Sequence, residues 1–420
     1  MSSGAMLKNR GLAERGRVAI EFAGGRMPVL GLVRDDFERR RPLEGVRIAG
    51  CLHVTAETAN LCRTLVAGGA QVALCASNPL STKDDIAAAI HVDHGVNVYA
   101  IHGCDRETFY RQVDGALSHA PTFVVDDGAD LTARVHRQRT DLLPALRGGT
   151  EVTSAGVHRI RNMAREGVLR YPMVPINDAL TKHLFDNRYG TGQNTIDGIL
   201  RGAHVLLAGS VLVVAGYGWC GRGVAACGRG MGARVVVVEV DPIRALEAVM
   251  DGHEVLPMAD AAKVGDVFVT VTGSRDVITV DHMAAMKPGA ILCNSGHFDV
   301  EIDVAGLRSR ALASRAVRPN AVEYTLPTGG PVVLLAEGRL VGQSAAEASP
   351  AQVMDMTFAT QSLVIEYLVT EGRDLAPGVH PVPRAIDERV AREKLHSLGV
   401  RPDELTRSQL AYASGWEAGT

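Results

Sequence analysis

The chain of 420 residues is short of lysine. Only six of its 44 basic residues are lysine: Lys8, Lys83, Lys182, Lys263, Lys287 and Lys394. Arginine fills the remaining basic positions, so each retained lysine marks a place where a releasable proton is worth considering. Positive charge is not in excess either. The formal net charge is −3, which leaves no basic field for nucleic acid. No C-x-x-C pair occurs. The seven cysteines (Cys51, Cys62, Cys75, Cys104, Cys220, Cys227 and Cys293) are an odd number in a long chain, the pattern of free thiols in a reducing cytosol. Met1 to Arg17 carries no apolar run of the kind a secretory leader needs, so a cytoplasmic protein is expected. The most membrane-like window, Ala203 to Cys220, contains His204, Gly209, Gly216 and Gly218, and reads as a buried strand entering a glycine turn. Internal repeats and low-complexity runs are absent.

What remains is a globular composition, 46% hydrophobic and 22% charged, which excludes disorder, collagen and coiled coil as descriptions of the whole. The length predicts two or three domains. Short aliphatic segments separated by helix-sized gaps occur in two series. The first is Val46–Ala49, Val72–Leu74, Val96–Tyr99 and Phe123–Val125. The second is Val211–Val214, Val235–Val240, Val267–Val271 and Ala290–Cys293. Each series predicts a parallel α/β unit. The boundary between them is expected near Gly190–Gly198. One further apolar segment, Val332–Ala336, precedes a helical pattern over Ala351–Thr370. A charged tail from Pro381, helical over Ala385–Leu398, is expected to dock on a neighbouring subunit.

The clearest local motif is Val211-Leu-Val-Val-Ala-Gly216-Tyr-Gly218-Trp219-Cys220-Gly221. It follows a predicted strand and opens a predicted helix. Glu239 stands 18 residues past Gly221, at the end of the next strand. That is the dinucleotide fingerprint: glycines for the turn and the close approach of a pyrophosphate, a helix N-terminus for its charge, an acid for the ribose 2′-hydroxyl. A glutamate there favours NAD over NADP. His91 and His94 have the spacing of a ligand pair but no further ligand cluster; they read as a solvated helix end, and no metal is expected.

Several longer stretches make the chain recognisable. They are Ile48-Ala-Gly-Cys-Leu-His53-Val-Thr55-Ala-Glu57-Thr, Ser77-Asn78-Pro-Leu-Ser-Thr82, Asp126-Asp127-Gly-Ala-Asp130-Leu, and Asn177-Asp-Ala-Leu-Thr-Lys182 with Phe185-Asp186-Asn187-Arg-Tyr-Gly. Further on stand Asn294-Ser295-Gly296-His297-Phe-Asp-Val-Glu-Ile-Asp303 and Leu334-Leu-Ala-Glu-Gly-Arg-Leu340. Over about residues 27 to 420 the chain resembles the S-adenosyl-L-homocysteine hydrolase family in its short archaeal and bacterial form.

The resemblance implies two Rossmann-like domains with parallel sheets, joined by hinges. Residues 1–190, completed by 350–380, would bind substrate. Residues 191–349 would bind NAD, and 381–420 would serve oligomerisation, in a homotetramer. It implies an adenine nucleoside as the small-molecule partner, with neither nucleic acid nor membrane involved. The implied chemistry is oxidation of the 3′-hydroxyl with NAD, loss of the now acidic C4′ proton, β-elimination of the 5′ group and re-reduction, so the cofactor is not consumed.

By resemblance, Lys182 and Asp186 meet the 3′-hydroxyl, and Asp127, His53 and His297 form the acid–base group around C4′ and C5′. Which of those three is the C4′ base stays open. Thr55, Glu57, Asn78, Val152, Ser349 and Met354 line the substrate, with Glu57 accepting from the adenine 6-amino group. Thr55 and Glu57, two apart, are read as facing one way from a strand or turn. Thr153, Ser154, Asn187, Gly216, Gly218, Trp219, Cys220, Gly221, Glu239, Thr272, Gly273, Ser295, Gly296, His297 and Gly342 surround the cofactor.

The match breaks at three places. Val152 stands where the family has a glutamate near the 2′-hydroxyl. Gly342 replaces an asparagine at the nicotinamide, and Ser349 replaces a histidine at the homocysteine end. The redox and base-reading residues are kept while the 2′ side and the leaving-group end change. The leading expectation is therefore a diverged 4′,5′-dehydratase or lyase, on a substrate such as the ketose nucleoside psicofuranine. The alternative is a genuine S-adenosyl-L-homocysteine hydrolase. A third reading is a non-catalytic NAD-binding paralogue that regulates a partner, which the survival of Lys182 and His297 disfavours. A Lys and a Tyr near the C-terminus, which reach a neighbour's NAD in longer family members, have no match here.

Overall fold

The computed structural model describes residues 5–416. The first four and last four residues, on which the ends of the predicted leaderless start and of the tail fall, lie outside the described residues. The first sheet holds β1 (Arg47–Leu52), β2 (Gln71–Ala76), β3 (Asn97–Tyr99), β4 (Phe123–Asp126), β5 (Gly148–Glu151) and β6 (Pro172–Pro175). The second holds β7 (Val211–Ala215), β8 (Arg234–Val238), β9 (Glu254–Val255), β10 (Val267–Thr270), β11 (Ala290–Asn294), β12 (Ala313–Arg318), β13 (Ala321–Thr325) and β14 (Pro331–Leu335). The chain then returns as β15 (Gly378–Val379) to the first sheet, beside β6.

The strand orders are β15-β6-β5-β4-β1-β2-β3 and β12-β13-β14-β11-β10-β7-β8-β9. Every pairing in the first sheet is parallel. The second departs from that only at its β12–β13–β14 edge, which is antiparallel. Strands such as Val211–Ala215 are buried along their whole length, which explains why they read as unbroken aliphatic runs rather than alternating ones.

Each sheet has a switch point, where strand order reverses and a crevice opens beyond the carboxyl ends. In the first sheet it lies between β1 and β4, so the chain leaving those strands supplies His53 and Asp127. In the second it lies between β7 and β10, so the turns after them supply Gly216 and Thr272. Sequence order alone thus delivers the chemistry-bearing residues to two facing edges.

The helix Ala351–Val369 crosses back and packs on the helices Pro28–Arg40 and Ala56–Ala67 of the first unit. Most of it is buried. The residues of 190–198, read as a domain boundary, lie mostly in a continuous helix, Thr191–Ala203, packed against the helix Trp219–Gly230. Their glycines and polar residues look like a linker because the glycines permit close helix packing there.

The tail begins with contacts inside its own chain. Its helix Arg384–Ser397 docks on its own chain, against Ala351–Val369 and Pro28–Arg40. Lys394 Nζ lies 2.8 Å from Asp355 Oδ2, while the Asp355 carboxylate, fully buried, also accepts from Leu30 N at 2.8 Å and Val29 N at 3.3 Å. One carboxylate thus satisfies a helix start and a cation from the tail. Asp355→Ala strands both, and the expected loss is about 3 kcal/mol of unfolding free energy in urea. A loss below about 1 kcal/mol would mean the tail is held by apolar contact alone. Among the described residues no helix is long and apolar enough to cross a membrane.

Candidate active site

The two switch points open onto one cavity of about 1130 Å³. His53 follows β1, Asp127 follows β4 and His297 follows β11, so three strands from two sheets converge. His53 Nε2 lies 3.2 Å from Asp127 Oδ2, and His297 Nδ1 lies 3.5 Å from Asp127 Oδ1. Ser77 Oγ donates to Asp127 Oδ2 at 2.9 Å, and Ser81 Oγ is 2.7 Å from His53 Nδ1. Gly128, at φ +103°, has no room for a side chain: a Cβ there would stand 2.3 Å from His297 Nε2. The second unit is therefore closed onto the first through His297.

The electrostatics of this group follow from burial and mutual contact. Burial pushes the His53 imidazolium pKa down, and that outweighs the Asp127 carboxylate beside it. Burial alone would raise Asp127. His53, His297, the Ser77 hydrogen bond and Lys182 outweigh burial, and its carboxyl is held below the usual range. Beneath lie two acids of the opposite tendency. Burial raises Asp126 to about 6, and raises Glu151 well above its usual range, helped by Asp126 and Asp127. Glu151 accepts from Gly128 N, Ala129 N, Thr153 N and Thr153 Oγ1 at 2.8–3.0 Å, which fixes the loop carrying Asp127.

Lys182 ends one turn of helix and begins a widened π-helical stretch, His183–Gly190, that brings Asp186 and Asn187 to the same wall. Lys182 Nζ lies 3.1 Å from Asp186 Oδ2, 3.3 Å from Asn177 Oδ1, and donates also to Asn187 Oδ1. All four are buried. Nζ is enclosed by three oxygen acceptors on the wall of the cavity, which Lys182, Asp186, Asn187 and Asn177 all line.

The helix Trp219–Gly230 starts at Gly218 with no side chain capping it. A Cβ on Gly221 would lie 1.9 Å from Gly216 O, so only glycine lets the helix start meet the turn. Uncapped N–H groups at the end of a 12-residue helix, with Gly216 and Gly218 on the cavity wall, fit a dinucleotide pyrophosphate. Glu239 lies just past β8 on the same wall and accepts from Tyr217 N at 2.7 Å. Thr272 and Gly273 are held by Glu301, which accepts their N–H groups at 2.8 and 2.9 Å. Trp219 stacks on His183, ring centroids 5.4 Å apart, with the Arg222 guanidinium 4.5 Å from its ring.

The family model for S-adenosyl-L-homocysteine hydrolase matches residues 5–143, and that for its NAD-binding domain matches residues 187–348. An adenosylhomocysteinase from Aquifex aeolicus is 55% identical over 414 residues, 99% of each chain. The chain belongs to the S-adenosyl-L-homocysteine hydrolase family. Adenosylhomocysteinase from Saccharolobus solfataricus is 53% identical over 99% of both chains. S-inosyl-L-homocysteine hydrolase from Methanopyrus kandleri is 51% identical over 99% of this chain and 98% of its own. NAD is the cofactor of the matched domain.

The cavity wall also carries Thr55, Val152, Thr153, Ser154, Ser295, Gly296, Cys220, Ser349 and Met354. Glu57, Asn78, Gly221 and Gly342 do not themselves line it. Thr55 caps the helix Ala56–Ala67, with Glu57 inside its first turn, so the pair sits on a helix start and not on a strand. Burial raises the Glu57 carboxyl. Asn78 closes a turn by accepting from Leu80 N at 2.9 Å. His91 Nδ1 is occupied by Val96 O at 2.8 Å. Among the described residues the His/Cys/Asp/Glu group with metal-ligand spacing is His53, Asp127 and His297, already engaged with one another.

Asn194 escaped sequence reasoning. It lines the cavity and donates from Nδ2 to Ser349 Oγ at 3.0 Å, and its Oδ1 would lie 2.2 Å from a Cβ on Gly342. One asparagine from the helix Thr191–Ala203 thus joins two of the three family departures. Nothing local in Gly192-Gln-Asn194-Thr signals it, because both partners are some 150 residues away.

Proposed function

We propose that this enzyme oxidises the 3′-hydroxyl of an adenine nucleoside and expels its 5′ substituent by β-elimination. The observation that carries the reading is one cavity with the Lys182–Asp186 pair on one wall, the Asp127–His53–His297 group on another and the glycine cradle opening between them. NAD, when bound in that cradle, supplies the hydride acceptor. Lys182 takes the proton of the 3′-hydroxyl at Nζ, while Asp186, Asn177 and Asn187 fix the amine in place. A 3′-ketone acidifies the C4′ hydrogen. The Asp127, His53 and His297 group removes that proton and returns one to the departing 5′ atom. Closure of His297 on Gly128 keeps bulk water from the ketone.

The relatives' names support hydrolysis as the overall outcome: water adds to the 4′,5′-alkene, the hydride returns to C3′, and S-adenosyl-L-homocysteine yields adenosine and homocysteine. That outcome is better supported than the dehydration put first on sequence grounds. A second reading, net loss of water across C4′–C5′, is favoured by a specific set of side chains. Val152 presents an apolar wall where the family has a glutamate, and Ser349 is tied to Asn194. Room beside Val152 suits a sugar with an added substituent near C1′ or C2′, such as a ketose nucleoside.

Thiol release from S-adenosyl-L-homocysteine by the NAD-loaded protein separates the two. Brisk release of homocysteine supports hydrolysis. Absence of thiol, together with near-ultraviolet absorbance of reduced nicotinamide on adding adenine nucleosides, supports dehydration. In that second case Val152→Glu with Ser349→His is expected to raise thiol release at least tenfold. No change would remove these positions as the cause.

A further inference from the structure

We infer that Asp387, on the tail helix, is a positioning residue for Lys182: its carboxylate holds the turn that aims the amine. The inference rests on the reading of Lys182 as the acceptor of the 3′-hydroxyl proton. Lys182 ends a helical turn of three residues, Leu180–Lys182, and Ala179 before it offers no side-chain cap. The first N–H groups of a helix need acceptors from elsewhere. One carboxylate supplies them here. Asp387 Oδ2 accepts from Leu180 N at 2.6 Å, and Oδ1 accepts from Thr181 N at 2.8 Å and from the Thr181 hydroxyl. Hydrogen bonds to an ionised acceptor are the strong ones, and these grip both residues that lead into the lysine.

The grip comes from 206 and 207 residues further along the chain, on the helix Arg384–Ser397. Thr181 is buried, and its hydroxyl also lies 3.2 Å from Thr360 Oγ1 on the buried helix Ala351–Val369. The turn is thus fixed from two sides by the C-terminal part of the chain. Lys182 N donates to Ala179 O at 3.1 Å, so the lysine backbone inherits that placement. Beyond Lys182 the hydrogen-bond register changes to the π-helical stretch His183–Gly190. The start of the turn is therefore the anchored end from which the side chain reaches Asp186, Asn177 and Asn187. Asp387 does not line the cavity, so its influence on the reaction runs through Lys182. A small displacement of this backbone moves Nζ relative to the 3′-hydroxyl, which lowers rate rather than affinity.

The test is single-turnover reduction of the cofactor by adenosine in the NAD-loaded full chain, followed by stopped-flow absorbance over a range of adenosine concentrations. Asp387→Ala should lower the maximal rate about tenfold and leave the half-saturating adenosine concentration within about twofold of native. Asp387→Asn keeps the shape and one acceptor oxygen; it should lose about threefold, and it carries the test if the alanine variant does not fold. Lys394→Met loosens the far end of the same helix without touching Asp387, and its rate should stay within about twofold of native. In a Lys182→Ala background Asp387→Ala should lower the rate by less than about twofold, the mark of a residue that acts through the lysine. Native rates in both Asp387 variants, or the full loss in the Lys182→Ala background, would overturn the inference alone. An equal loss in Lys394→Met would overturn it too, since docking of the tail as a whole would then be the cause. If Lys182→Ala reduces the cofactor at the native rate, or adenosine reduces none in the native protein, the reading of Lys182 falls first and takes the inference with it.

Discussion

Lys182→Arg is expected to slow reduction of the cofactor by an adenine nucleoside by about 10³-fold, with NAD retention and thermal unfolding close to native. The substitution keeps the charge and removes the ability to shed it, since a guanidinium stays protonated. Lys182 Nζ is buried among Asp186, Asn177 and Asn187, and only as the neutral amine can it take the 3′-hydroxyl proton, a form a guanidinium does not reach. Lys182→Ala controls for the added bulk of arginine. Its lost rate should be partly restored by a small primary amine in the buffer. Stopped-flow absorbance of a single turnover reads both variants. A rate within tenfold of native for Lys182→Arg would assign the 3′-proton to another group and leave Lys182 as one half of a structural ion pair.

The second large effect is expected from Asp127→Asn, and it should split the reaction. Overall turnover falls by about 10³-fold while the oxidation half proceeds, so reduced nicotinamide accumulates during the steady state. The carboxylate stands between His53 and His297, 3.2 and 3.5 Å away, and is held ionised against its own burial by those rings, Ser77 and Lys182. An amide keeps the shape but cannot take a proton or hold an imidazolium beside it. Equal losses in the oxidation and elimination steps would show instead that Asp127 serves closure of the two units, through its contact with His297.

Much of this was legible in the chain before any coordinates. The aliphatic segments marking β1 to β4 and β7, β8, β10 and β11 stand out because buried parallel strands must be apolar on both faces. The glycine fingerprint announces its own turn. Other elements gave no such signal. β5 is Gly148-Gly-Thr-Glu and β6 is bounded by Pro172 and Pro175, four residues each with little strand propensity, and only their burial between neighbours makes them strands. The helix Thr191–Ala203 was hidden by glycines that look like a linker. Lys394 was visible as one of few lysines, but its partner Asp355 stands 39 residues away on another helix. The site followed the same rule. Residues inside motifs could be named, whereas Asn194 earns its place only through the partners that the fold brings to it.

The chain has only two tryptophans, and the fold gives them opposite surroundings. Trp416 is 89% exposed on the tail. Trp219 lies against His183 and Arg222 on the cavity wall, where it joins the π-helical stretch after Lys182 to the helix that follows the glycine turn. Light emitted by the first reports on solvent. Light emitted by the second reports on cofactor occupancy and on the fit between the two units. A water-borne quencher silences Trp416 first, and what remains is an optical gauge built into the native protein, readable without a label while substrate is turned over.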